Sequence, residues 1–260
     1  MIPYTRKTLP NGLTVVVNRD RASKLAAVNI LYRVGARNEN PARTGFAHLF
    51  EHLMFRGTRA VENFDLPVQM ASGDNNAFTN NDYTDFYITL PKDNLETALW
   101  LESDRMEGLD ITPAKLEAEK KVVIEEFRQR YLNQPYGDQT MLLRALAYKV
   151  HPYRWAAIGL ATDHIAGATL ADVESFYRAH YRPSNAILSI SADMEEERML
   201  ELAEKWFAPL ADHPSATAAI PQEPVQTQAR RQEVERDVPA STVTVAYHMC
   251  ARTKPDFYTA

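Results

Sequence analysis

Apolar positions change period several times along the chain, and each change marks an expected element. Residues Thr5 to Asn18 read as a hairpin: Pro10-Asn11-Gly12 is turn chemistry, and Leu13-Thr14-Val15-Val16-Val17 is rich in β-branched residues. Ala26 to Val34 reads as a further strand. Gly35, Asn38, Asn40 and Pro41 then mark a loop, and Thr44 is the expected N-cap of a helix that Gly57 ends. A short helix is expected around Phe64 to Ala71, followed by a polar, turn-rich stretch from Ser72 to Asp82. From Tyr83 to Leu90 two sets alternate, Tyr83, Asp85, Tyr87 and Thr89 against Thr84, Phe86, Ile88 and Leu90. That pattern predicts a strand with one buried face, stopped by Pro91.

Leu95 to Met106 is amphipathic at helical spacing, and Thr112-Pro113 opens the longest helical pattern as N-cap and first-turn proline. On that helix Leu116, Val123 and Phe127 form the apolar stripe. Glu119 and Glu126 border it side by side, while Glu125 points the opposite way. Gln134-Pro135 breaks the run, and Gly137 to Val150 looks helical again. His151-Pro152-Tyr153 begins a loop reaching about Ile165. Thr169 to Tyr181 is a helix, Ala186 to Ser191 a strand and Glu195 to Phe207 a helix. The alternation predicts an α+β fold, a largely antiparallel sheet covered on one face by helices. From Pro209 the composition shifts to Pro209, Pro214, Pro221 and Pro224 among Ala, Ser, Thr and Gln, an extended linker. Strand pattern resumes at Val243 to His248. The expected organisation is a first domain at 1–210, a linker at 211–236, and the start of a second, truncated domain at 237–260.

One stretch does not fit a purely structural reading. Phe46-Ala47-His48-Leu49-Phe50-Glu51-His52-Leu53-Met54-Phe55 sets three polar side chains into an apolar run. On a helix, His48, Glu51 and His52 project together while the apolar residues fill the remaining directions. Such a helix should be buried, and each unpartnered polar group would then cost roughly 1–3 kcal/mol. A buried histidine is ordinarily satisfied by a carbonyl, but three metal-competent groups on one turn are satisfied more economically by a divalent cation. Two His one turn apart can aim their rings at a single Zn2+, leaving Glu51 free to act on water. The order His-x-x-Glu-His is the inverted zinc-protease signature. A third ligand is required, and of the adjacent pair on the long helix only Glu126 can approach a buried site without rotating that helix.

Composition narrows the partners. The chain has 260 residues and a net charge of −5, with no basic stripe, which argues against a nucleic-acid backbone as partner. Cys250 is the only cysteine, so neither a disulfide framework nor a thiolate metal site forms within one chain. No apolar run approaches the roughly 20 residues that span a bilayer, so no membrane partner is expected. Met1 to Arg6 is no secretory leader. The expected compartment is therefore the cytoplasm, or the periplasm if a leader has been removed.

The residues described resemble the pitrilysin-like zinc peptidases, which include insulinase, the mitochondrial processing peptidase and many bacterial zinc proteases. The resemblance spans nearly the whole chain, through Pro10-Asn11-Gly12-Leu13, Gly45-Phe46-Ala47-His48 to Gly57-Thr58, Asn76-Ala77-Phe78-Thr79, and Glu119 to Glu126. It implies that His48, His52 and Glu126 hold one Zn2+ per chain, that Glu51 is the general base, and that Glu119 supports activity from beside the ligands. It implies an edge strand at Asn76, Ala77, Phe78 and Thr79 that receives peptide substrate as an added strand. In the implied mechanism Zn2+ polarises water and the scissile carbonyl, and Glu51 passes a proton to the leaving amine. Family members also have a second, homologous domain that supplies an Arg and a Tyr, and no residue here matches them. That half is expected in cis or as a separate chain, and a dimer is allowed. The competing expectation from another class is a non-catalytic structural or binding subunit that keeps the fold without hydrolysis.

Overall fold

The computed structural model describes residues 2–213 and 219–259. The stretch of the predicted linker at 214–218, including Pro214, lies outside the described residues. The strands are β1 (Thr5–Thr8), β2 (Thr14–Arg19), β3 (Leu25–Tyr32), β4 (Asp74–Thr79), β5 (Thr84–Pro91) and β6 (Ala186–Ala192). The helices are α1 (Phe46–Leu53), α2 (Asp65–Met70), α3 (Leu95–Glu107), α4 (Pro113–Phe127), α5 (Gln139–Ala147), α6 (Thr162–Ala166), α7 (Leu170–His180) and α8 (Glu196–Phe207).

The strands form one sheet in the order β1-β2-β6-β3-β5-β4. β2 and β6 run parallel, and every other neighbouring pair is antiparallel. The hairpin turns at Gly12, whose φ of +88° lies in the left-handed region that a side chain disfavours. Register explains the core: Val28 pairs with Ile88 on one side and with Ile190 on the other, and Val17 pairs with Ile190. The period of two therefore sends Val15, Val17, Val28, Ile30, Phe86, Ile88, Leu188 and Ile190 to one face, where all are buried. Burying each such side chain is worth about 1.5–3 kcal/mol relative to leaving it exposed.

Helices α1, α3 and α8 pack on that sheet. Phe50 of α1 stacks on Phe176 and Tyr181, with centroids 5.3 and 5.1 Å away, which fixes α1 against α7. Glu102 and Arg105 of α3 form a buried ion pair, and the guanidinium lies 4.3 Å from the Phe64 ring centre and 4.2 Å from that of Phe86.

The structure corrects four expectations. Thr44 does not cap α1. Gly45 does, at φ +92°, and the buried Glu39 carboxylate accepts the Gly45 and Ala47 N–H groups at 2.9 Å each. Thr44 instead accepts the Leu160 N–H at 2.8 Å. Regular α1 structure stops at Leu53, and Gly57 makes a separate turn at φ +94°. The polar stretch from Ser72 carries β4, because hydrogen bonding to β5 overrides its turn-like composition. The predicted strand Val243 to His248 is unpaired, with Val243 and Tyr247 exposed at 91% and 88%, because no neighbouring strand meets it among the described residues. That tail lies along α5 and the loop after it: Glu223 accepts the N–H groups of Lys149, Val150 and His151, and Arg230 donates to the carbonyls of Leu146 and Ala147.

Candidate metal centre and active site

α1 presents His48 and His52 one turn apart, with ring centres 4.8 Å from each other. α4 packs against α1 and carries the acids. Its start is set by Thr112, whose hydroxyl accepts the Lys115 N–H, and by Pro113 in the first turn. Burial of Leu116, Val123 and Phe127 fixes its rotation, so Glu119 and Glu126 turn toward the histidines. Glu125 points to solvent, 53% exposed, and pairs with Arg128.

The geometry is convergent. Glu126 Oε2 lies 3.6 Å from His48 Nε2 and 3.3 Å from His52 Nε2. On the other side of its ring, His52 Nδ1 lies 3.4 Å from Glu119 Oε2. Glu119 is buried and also pairs with Arg56. Glu126 Oε1 is 3.1 Å from Arg130 Nε. Burial pushes the His48 imidazole down to about 4, and the Glu126 charge only partly opposes this. Burial acts on His52 in the same direction, but its bonds to Glu119 and Glu126 outweigh it and lift the ring to about 9. Burial raises the Glu51 carboxyl above its ordinary value, partly offset by a hydrogen bond with Thr79.

The donor set fits a zinc ion. Among the described residues, His48, His52 and Glu126 offer one ligand atom each, all within 4.8 Å of one another. Tetrahedral zinc with bonds of about 2.0–2.2 Å separates its ligand atoms by about 3.4 Å, close to the spacings found between the rings and Glu126. Two imidazoles and one carboxylate leave a coordination position open, the arrangement of catalytic rather than structural sites. Glu119 Oε2 faces His52 Nδ1, a position from which it would hold the ring with Nε2 turned to a bound ion.

A cavity of about 460 Å³ opens over these groups. Glu51 lines it beside both histidines. Asn76, Ala77, Phe78 and Thr79 of β4 form one wall, and β4 is an edge of the sheet. All nine residues singled out from the sequence thus lie in or directly behind this one cleft. Sequence reasoning missed Arg130, Tyr131, Ala157 and Ile158, which also line it. Arg130 was detectable as a cation four residues beyond Glu126, whereas Ala157 and Ile158 lie in a loop with no periodic signal.

An α+β domain with an inverted His-x-x-Glu-His pair and a distant helical glutamate is the arrangement of the inverted-motif zinc-peptidase class. The chain belongs to the insulinase family, peptidase family M16: the profile described as Insulinase (Peptidase family M16) matches residues 14–156. A second profile, described as Peptidase M16 inactive domain, matches residues 167–260. The chain is 35% identical over 235 residues to zinc protease PqqE of Helicobacter pylori, an alignment covering 88% of this chain and 53% of that protein. It is 26% identical to a probable mitochondrial-processing peptidase subunit beta of Arabidopsis thaliana, covering 98% of this chain and 48% of the relative. The crystal structure of a protease from Helicobacter pylori superposes with a TM-score of 0.85 at 34% identity, covering 88% of this chain and 56% of that one. The first half of the Escherichia coli periplasmic protease PqqL shares the fold, with a TM-score of 0.74 at 23% identity over 84% of this chain and 48% of that one. The chain spans about half the length of the curated relatives it matches. No helix among the described residues is long and apolar enough to cross a membrane.

Proposed function

We propose that this chain is the catalytic half of a zinc-dependent peptidase that hydrolyses short or unfolded peptides bound as an added β-strand. The observation that carries the reading is the convergence of His48, His52 and Glu126 with Glu51 on the same cleft. Bound there, a zinc ion supplies Lewis-acid polarisation of water and of the scissile carbonyl. The chain's own groups do the rest. Glu51 takes the proton from the attacking water and delivers it to the leaving amine, and its burial keeps its basicity above that of a solvated carboxylate. Glu119 holds the His52 ring in place through Nδ1. β4 is an edge strand at Asn76 to Thr79, where an extended peptide can pair as a further strand once the Asn76 side chain releases the Ala77 N–H.

Residues 1–210 form the catalytic domain in this reading, 211–236 a linker, and 237–260 the opening of a second homologous domain, in cis or met by a separate chain. The test is Glu51→Gln in the full-length protein. Cleavage of a fluorogenic peptide should fall by about 10²–10⁴-fold while elemental analysis still finds one zinc per chain. Undiminished turnover would overturn the mechanism.

A further inference from the structure

We propose that Arg130 makes the cleft selective for peptides bearing a carboxylate beside the scissile bond. The proposal rests on the peptidase reading above and names its substrate class.

Arg130 lies on a π-helical turn, Arg128–Leu132, that continues α4 beyond Phe127. Such widened turns recur at functional sites, because they re-aim side chains that a regular helix would send elsewhere. Arg130 and Tyr131, both on this turn, line the cavity. Its Nε pairs with Glu126 Oε1, while Glu126 Oε2 faces the two histidines. A guanidinium has five N–H donors in a rigid fork, and the contact to Glu126 uses one side of it. Among the described residues no second carboxylate pairs with Arg130, and its side chain is 67% exposed. Glu126 is only 20% exposed and Arg130 67%, so the pair leaves the outer side of the guanidinium open to a further carboxylate.

The charge balance points the same way. Among the described residues, Arg130 is the only Lys or Arg lining the cavity, whose acids are Glu51 and Glu126. With a divalent cation held and the histidines neutral, the cleft is one charge positive. A substrate carboxylate entering along β4 would meet the free side of the guanidinium and be held by charge-assisted hydrogen bonds. That carboxylate could be an Asp or Glu side chain or the free C-terminus of a short peptide.

The experiment uses the full-length enzyme and one quenched peptide sequence in four forms. Three are C-terminally amidated, with Glu, Gln or Lys beside the cleaved bond. The fourth is the Gln form shortened so that its free C-terminus falls at that place. Wild type should cleave a carboxylate form with kcat/KM about tenfold above the amidated Gln form, the gain lying in KM. Arg130→Gln should bring the Glu-to-Gln ratio to about one, and Arg130→Glu should reverse the preference toward Lys. Because each comparison is a ratio within one variant, any general disturbance of Glu126 cancels. Anisotropy of the same peptides on the Glu51→Gln protein gives the same ranking without turnover. A gain confined to the amidated Glu form assigns the carboxylate to a side chain, and one confined to the shortened form assigns it to the C-terminus. Equal values across the wild-type series, or a ratio unmoved by Arg130→Glu, overturns the assignment. If wild type cleaves none of the peptides, the peptidase reading fails, and the binding ranking still decides the role of Arg130.

Discussion

Glu102 and Arg105 face each other among Phe55, Phe64 and Phe86, with almost no water contact. Burial pushes the Glu102 carboxyl above its ordinary value, and Arg105 pulls against it. Removing one member strands the other charge, so Glu102→Ala should destabilise the domain by about 3–5 kcal/mol, read as a lower urea midpoint. Glu119 belongs to the proposed metal site and not to the core. If its contact with His52 Nδ1 orients a ligand as proposed, Glu119→Ala should weaken zinc binding by about 10–100-fold in a competition titration with a chelator. A loss smaller than the scatter of that titration would remove Glu119 from the support of the site.

Individual elements were legible where their cause is local. Thr112-Pro113 announces α4 through a contact three residues apart, whereas the helix read at Thr169 to Tyr181 came from its apolar spacing and its capping pair, Thr169 and Asp172, is seen only in the structure. The rotation of α4 was readable from Leu116, Val123 and Phe127, which is why Glu126 could be preferred over Glu125. The cap of α1 was not readable, because Glu39 reaches Gly45 and Ala47 from an earlier loop while Thr44 is claimed by Leu160. β4 was hidden from the residue pattern for a similar reason, its polar sequence forming a strand beside β5, and only the family resemblance implied an edge strand at Asn76 to Thr79. The tail contains an element with a pH signature. Burial raises the Glu223 carboxyl, but the N–H groups of His151, Val150 and Lys149 outweigh it and hold it at about 2. The folded value lies below the ordinary 4.5, so docking is at full strength above about pH 4.5 and fades as pH falls toward 2. The amide resonances of Lys149, Val150 and His151 should shift across that window, and Glu223→Gln should abolish the shift.

At the scale of the whole molecule, an ion held by His48, His52 and Glu126 would add a further tie between α1 and α4, beside side-chain packing and the His52–Glu119 contact. An ion bound to the native state at a hundred times its Kd adds about 2.7 kcal/mol, so a chelator should lower Tm. His52→Ala should make Tm insensitive to the chelator, and a chelator shift that persists in this variant would place the ion elsewhere. The sheet itself was legible as strands but not as an order. The residue pattern shows five of the six strands, yet nothing local says that the last of them enters the middle. That placement governs assembly. β6 lies between β2 and β3, so until residues 186–192 arrive the hairpin and the β3-β5-β4 unit have no shared hydrogen bonds. On the ribosome the nascent polypeptide therefore carries two unjoined half-sheets with open apolar faces, and closure waits on its final insertion, a late and slow step that invites chaperone capture.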